Sequence, residues 1–139
     1  MIPVFDRLSR HVNNQPNMNV KIDTNRNFHA IRINEPELAA NMTDDLRNCL
    51  IPFLQNDVKN LIVIMKDIQK MDLAAAKELL EIRDQFYANR ASFILCEPQS
   101  ETGKLFTRDK QFETLQVVPT FSEASDLVFM EDIERELTG

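Results

Sequence analysis

Two largely apolar runs mark the centre of the predicted fold. Apart from Ser92, residues 61–65 and 91–96 are all apolar. Short runs of this kind are typical of strands in a parallel sheet that is covered on both faces. Residues 115–118 predict a third, shorter strand of the same sheet.

The beginning of the domain has a different pattern, because apolar and polar residues alternate there. Val20 and Ile22 are separated by a charged residue, which predicts a strand with one buried side. The turn-forming residues 25–27 then lead into a second apolar stretch, 28–33. A β-hairpin is therefore expected at this end of the sheet.

Between the strands, apolar residues recur at helical spacing. One helix is expected to begin at a cap formed by Asn41 or Thr43, and to kink or end at Pro52, because proline lacks the N–H and clashes one turn back. The next helix is expected to begin at Asp72, whose carboxylate can accept from free N–H groups of the first turn. It continues to about Phe86.

Two more helices follow along the chain. One is predicted over about 101–110, and the other follows residues 120–123, which have the form of a capping box. The apolar side of this last helix is predicted to contain Ala124, Leu127, Val128, Met130, Ile133 and Leu137.

Strands that alternate with helices favour a single α/β domain. We expect a mixed, mostly parallel sheet of four to five strands, an opening hairpin and about four helices over residues 18–139. Residues 1–17 are predicted to form an extension with a short helix, 3–12, and a linker, 13–17. Because so short a helix is marginal alone, its apolar residues should pack on this domain's own sheet, pair with a second copy or wait for a partner. The short linker favours packing on the same domain.

Composition and charge exclude several classes of function. The chain of 139 residues has a net charge of −6, which argues against binding to nucleic acid. The two glycines, Gly103 and Gly139, are too few for a dinucleotide fingerprint or a P-loop. The sequence contains no apolar run long enough for a membrane span and no signal peptide. Its two cysteines are isolated, which suits a reducing compartment, so a cytoplasmic protein is expected.

No catalytic residues, metal ligands or cofactor site can be assembled from the sequence. His11 and His29 have no partner at ligand spacing, and Cys49 and Cys96 are predicted to be buried free thiols. Ser100, Thr102 and Lys104 could form a weak anion site, but a helix start requires such residues anyway.

The order of these elements resembles the STAS domain, the family of anti-sigma-factor antagonists and of the cytoplasmic tails of sulfate transporters. The resemblance covers roughly residues 19–137. Its main part is the lead-in M-K-D-I-Q-K-M-D at 65–72, which precedes the helix. P-E-L at 36–38 lies where the family often has G-E-L, and F-S-E-A at 121–124 is similar to the family's S-x-E-E-A.

The chain departs from the family at the residues that carry its known switch. In antagonists that are phosphorylated, a hydroxyl in the D-S-[ST]-G segment accepts the phosphate. Leu73 and Ala74 occupy the matching positions, and Ala75 replaces the glycine. Ala39 replaces an aspartate found after G-E-L in many members. No phosphorylation site is therefore expected at the helix start.

The resemblance implies a non-enzymatic module that docks onto another protein through the loop and helix start around Asp72. Asp72 itself can be a simple cap, and Leu73 can either fold into the core or form an exposed apolar anchor. The expected partner is an anti-sigma-type kinase or a sensory or transport assembly, and the oligomeric state stays open. The alternatives are a small-molecule or lipid-binding domain, or an accessory subunit of a transport assembly. The candidate partner-binding residues are Lys66, Asp67, Gln69, Lys70, Asp72, Leu73, Ala74 and Ala76.

Overall fold

The computed structural model describes residues 18–138, which contain seven strands and four α-helices. The strands are β1 Val20–Thr24, β2 His29–Ile33, β3 Glu37–Leu38, β4 Leu61–Ile64, β5 Lys70–Met71, β6 Phe93–Cys96 and β7 Gln116–Val118. The helices are α1 Thr43–Leu50, α2 Leu73–Ala88, α3 Ser100–Arg108 and α4 Phe121–Thr138. The predicted helix at 3–12 and its linker lie outside the described residues.

Five of the strands form one mixed sheet in the order β1-β2-β4-β6-β7. The β1–β2 hairpin is antiparallel, and the other pairs are parallel. The predicted α/β fold with a mostly parallel sheet and an opening hairpin is therefore confirmed. Because β2, β4, β6 and β7 are parallel, their carboxyl ends lie at one edge of the sheet, from which the loops to the helices leave.

The larger core lies between one face of the sheet and helices α1 and α2. Leu79, Ile82 and Phe86 of α2 are buried in it, and the rings of Phe86 and Phe93 lie 5.1 Å apart. Cys49 of α1 is buried in the same core as a free thiol, as predicted. Burying these aromatic and aliphatic side chains is the main source of stability.

Helix α4 covers the opposite face of the sheet with Ala124 and Val128, which pack with Ile62, Ile94 and Cys96. The prediction that Met130, Ile133 and Leu137 share this buried side is wrong. They lie nine residues after Phe121, Ala124 and Val128, respectively, which all contact this core. Because nine residues are about two and a half turns of helix, the later three residues fall on the opposite side. These three side chains and Phe129 are exposed instead.

A polar cluster joins α4 to the amino-terminal edge of the sheet. Glu131 accepts hydrogen bonds from Tyr87 Oη (2.7 Å) and from Ser92 Oγ (2.5 Å). Asp132 accepts from Asn60 Nδ2 and from Arg135 Nη2. These two carboxylates thus anchor the helix.

The helix ends differ from the sequence prediction at one place and agree with it at two. Neither Asn41 nor Thr43 caps α1, because a 3₁₀ turn, Ala40–Met42, precedes the helix and Met42 is its N-cap. The expected break at Pro52 is confirmed, since α1 ends at Leu50 and a 3₁₀ helix follows. At the start of α4, Thr120 Oγ1 accepts from the N–H of Glu123, which is the threonine half of the predicted capping box.

Candidate functional site

The loop that follows β4 is held firmly at the carboxyl edge of the sheet. The N–H of Met65 donates to the carbonyl of Cys96 (2.9 Å), and that of Ile68 donates to the carbonyl of Met65 (3.0 Å). Gln99 Nε2 donates to the carbonyl of Lys66 (2.7 Å). Met65 and Ile68 are fully buried, so the polar residues between them are presented from a fixed base.

A second, two-stranded sheet positions the rest of the site. β3 and β5 pair in parallel, with Glu37 opposite Lys70 and Leu38 opposite Met71. The carbonyl of Pro36 accepts from the N–H groups of both Gln69 and Lys70. These strands were not predicted, because two-residue strands carry no periodic pattern of their own.

Asp72 is the N-cap of α2, as predicted, and it makes a second contact that the sequence did not indicate. Its Oδ1 accepts from the N–H of Ala75 (3.4 Å), and its Oδ2 accepts from the N–H of Ala40 (2.9 Å). One carboxylate therefore joins the start of α2 to the turn that precedes α1.

The start of α2 presents a mixed surface to solvent. Leu73 is 44% exposed, so it does not fold into the core, and Ala74 beside it is also exposed. Lys66, Gln69 and Lys70 are exposed on the adjoining loop. Ala76 is different, because it is fully buried in the larger core and cannot contact a partner.

Asp67 forms a bidentate ion pair with Arg32 of β2. The distances are 2.7 Å from Nε to Oδ2 and 3.0 Å from Nη2 to Oδ1. The hydrogen bonds from this guanidinium lower the pKa of the Asp67 carboxyl below its usual value. Arg32 was not predicted as a site residue, since it lies on another strand and only the sheet brings it near Asp67.

An open groove of about 1010 Å³ runs between this surface and helix α3. Glu37, Gln69, Lys70, Met71 and Asp72 line one side. The other side is Glu101, Thr102, Lys104, Leu105, Arg108, Asp109 and Lys110. The groove carries both signs of charge along its walls, and the residues of its α3 side were missed because helix packing, not sequence spacing, places them there.

The anion site considered for Ser100, Thr102 and Lys104 finds little support. Thr102 is buried, and its hydroxyl donates to the carbonyl of Gln99 (3.0 Å). The ammonium group of Lys104 lies 3.7 Å from Glu101 Oε2. Both groups therefore already have partners, Thr102 at the residue that precedes the helix and Lys104 within it.

His29 lies away from this edge, in a structural setting. Nε2 contacts the carbonyl of Val58 and Nδ1 contacts Thr24 Oγ1, each at 2.8 Å, and burial lowers the pKa of the ring. Within residues 18–138, no three side chains of the His, Cys, Asp or Glu type are grouped so that they could hold a metal ion. His11 lies outside this range.

The fold and this edge agree with a family model, that of the STAS domain, which matches residues 19–124. The chain belongs to the STAS domain family. The match includes both small strands, the loop after β4 and the whole of α2. The region around Asp72 therefore lies within the part of the chain that the family model describes.

Solved structures of an anti-sigma factor antagonist share the fold at low sequence identity. The anti-sigma factor antagonist SpoIIAA in its unphosphorylated form is 20% identical with a TM-score of 0.64, and the match covers 79% of this chain and 96% of that one. Bacillus SpoIIAA in its phosphorylated form is 20% identical with a TM-score of 0.59, covering 79% and 99%.

A transporter shares the fold as well. Murine Solute Carrier 26 family member A9, an anion transporter, is 16% identical with a TM-score of 0.64, and the match covers 74% of this chain but only 18% of the transporter. No curated protein sequence matches the chain significantly. Among the described residues, no helix is long and apolar enough to cross a membrane.

Proposed function

We propose that this STAS domain is a non-enzymatic interaction module that docks onto another protein through the start of α2 and the loop before it. The observation that carries the proposal is the exposed Leu73 at the first turn of a helix whose position is fixed by Asp72. An exposed leucine on a rigid frame loses little conformational entropy on binding, and its burial supplies apolar contact.

The surface around Leu73 has the anatomy of a protein contact. Ala74 allows close approach beside the leucine, while Lys66, Gln69 and Lys70 supply a polar rim. Asp67, paired with Arg32, supports this rim, and the charged groove along α3 extends it. Mixed charge at a rim favours specificity and orientation more than raw affinity.

The family suggests the class of partner. SpoIIAA is an anti-sigma factor antagonist, and it shares the fold of this chain. We infer that the partner is an anti-sigma-type kinase or a sensory or transport assembly. Because Leu73, Ala74 and Ala75 offer no hydroxyl, docking is not controlled by phosphate at the helix start.

The substitution Leu73→Glu tests the proposal. It removes the apolar contact and introduces a charge that must be desolvated on binding, so the affinity for the anti-sigma-type kinase of the same genome should fall at least about tenfold. Because Leu73 is exposed, the melting temperature should change little. Isothermal titration and thermal melts of the same samples separate the two effects.

The matched control is Leu137→Glu, which changes an exposed leucine of α4 far along the chain. It should leave kinase affinity unchanged. Equal loss of affinity in both variants would place the docking surface elsewhere, and a collapse of the melting temperature in Leu73→Glu would assign the leucine a structural role.

The groove beside α3 favours a second candidate function, the binding of a small molecule or lipid. Its volume is at the upper limit of the range of ligand pockets, although pockets of that kind are usually less open and more apolar. Native mass spectrometry of the protein purified from its own organism tests this candidate. A bound species that is lost in a Lys70→Glu, Arg108→Glu variant would favour it over the docking module.

A further inference from the structure

Helix α4 carries an apolar surface on the side that faces away from the sheet. Because Ala124 and Val128 hold the inner side of the helix against the sheet, no element of residues 18–138 covers the outward side. We call this surface the outer stripe, and its members are Phe129, Met130, Ile133 and Leu137. Their side chains are 62%, 57%, 42% and 79% exposed. With 3.6 residues per turn, they fall within about 100° of the helix surface, which is the width of an amphipathic face.

Acidic residues surround the outer stripe. Asp126 lies at its amino-terminal end, and Glu134 and Glu136 lie on its two borders. All three carboxylates are exposed, and within the part of the chain that the structure describes none of them forms a salt bridge. The outward side of α4 is therefore apolar along its middle and negative around it.

No cation of α4 offsets this negative charge. Arg135 is the one basic residue of the helix, and it lies on the inner side. Its guanidinium donates to Asp132 Oδ1 (2.8 Å) and to Ser92 Oγ (2.9 Å). The carboxylates around the outer stripe are therefore available to the cations of a partner.

These two properties select among the possible occupants of the stripe. Two copies of α4 placed face to face would bring like charges together, which disfavours self-pairing. An anionic membrane surface would be repelled for the same reason. An amphipathic helix with lysine or arginine beside its apolar side fits best, because it buries the stripe and pairs with the carboxylates around it.

We propose that the outer stripe of α4 is a docking site for a basic amphipathic helix of another protein. This site goes beyond the proposed function at the start of α2 and is independent of it, since α2 and α4 cover opposite faces of the sheet. One domain can therefore hold two partners at once, one on each face.

Fluorescence polarisation with two designed peptides tests the proposal on the full chain. Each peptide has about 18 residues, long enough to form a helix, with leucines along one side. One peptide carries lysines beside the leucines, and the other carries glutamates at the same positions. The lysine peptide should bind at least about tenfold more tightly than the glutamate peptide, and added salt should weaken its binding.

A variant of the stripe shows where the peptide binds. Phe129→Ser combined with Leu137→Ser removes apolar contact and should weaken binding of the lysine peptide at least about tenfold. Both side chains are more than half exposed, so the melting temperature should change little. The control Leu73→Ser, at the exposed leucine of α2, should leave the peptide affinity unchanged, so that this proposal and the docking at α2 are tested separately.

Charge reversal tests the acidic border. Glu134→Lys combined with Glu136→Lys should abolish the preference for the lysine peptide. The control, Asp57→Lys combined with Glu113→Lys, changes the net charge equally at exposed positions outside α4 and should keep the preference. Loss of the preference in both variants would contradict the proposal, because overall charge and not the border would then govern binding.

Other results would overturn the proposal as well. They are equal binding of the two peptides, no binding of either, and binding that survives the change of Phe129 and Leu137 to serine. Sedimentation of the chain alone checks the competing occupant. A dimer that dissociates in that same variant would assign the outer stripe to a second copy of this chain.

Discussion

At the scale of the residue, Asp72 contributes to two elements at once. Its two oxygens accept from the N–H groups of Ala75 and Ala40. Asp72→Ala removes both bonds and should lower the free energy of unfolding by about 1–2 kcal/mol, whereas Asp72→Asn keeps one acceptor and should cost less. Urea unfolding of both variants measures this, and Asp57→Ala, an exposed aspartate, should change nothing.

His29 makes stability depend on pH. Burial lowers its pKa in the folded protein below the 6.5 of an ordinary histidine, so the folded state favours the neutral ring. The stabilising contribution is present above pH 6.5 and is lost as the pH falls below that value. His29→Gln should therefore reduce the difference between urea midpoints at pH 7.5 and pH 5.5.

His11 provides the control for this measurement, because it is the other histidine of the chain. His11→Gln should leave the pH dependence of the midpoint as it is in the natural sequence. If His11→Gln removes the dependence and His29→Gln does not, the assignment to the buried ring is wrong.

The capping role of Asp72 could be predicted because it depends only on the next three residues. Its bond to Ala40 could not, since the two residues are brought together by the pairing of β3 with β5. The exposure of Leu73 was an open alternative in the sequence for the same reason: a first-turn leucine can point either way until the neighbouring elements are placed.

At the scale of the element, α4 depends on Glu131 for its attachment at the amino-terminal edge of the sheet. Glu131→Ala leaves the hydroxyls of Tyr87 and Ser92 without their acceptor, and Ser92 is fully buried. The free energy of unfolding should fall by about 1–3 kcal/mol. The control is Glu134→Ala, which changes an exposed glutamate three residues further along the helix. It should leave the free energy of unfolding, measured by chemical denaturation, unchanged.

The periodicity of α4 shows where helix prediction from sequence ends. Apolar residues occur on two opposite sides of this helix, and a pattern search merges them into one broad stripe. Only the packed sheet distinguishes Val128, which it buries, from the exposed Leu137, which lies two and a half turns further along on the opposite side of the helix. The central strands were predictable because unbroken apolar runs need cover on both faces.

At the scale of the whole molecule, the proposed module works without phosphate at the helix start. Incubation with ATP and the anti-sigma-type kinase should leave peptides that cover residues 70–83 unmodified, because this segment contains no serine, threonine or tyrosine. Phosphopeptide mapping by mass spectrometry checks this. Phosphate found within these residues would contradict the proposal.

The order of strands and helices was enough to predict a mixed, mostly parallel sheet with an opening hairpin, because alternation favours parallel neighbours joined by helices. The site was predictable only in part. Its loop and cap lie on consecutive residues, but Arg32 and the α3 side of the groove come from distant segments. Ala76 was included because of its position along the helix, and the rotation of that helix buries it.

The two cysteines lie on opposite faces of the sheet, Cys49 in the core with α1 and α2 and Cys96 in the core with α4. Burial raises the pKa of each thiol to about 12, so neither is reactive while its layer is closed. The two thiols can therefore serve as separate probes of the two sides of the sheet. The rates at which a thiol reagent modifies them under native conditions report, separately, how often each layer opens.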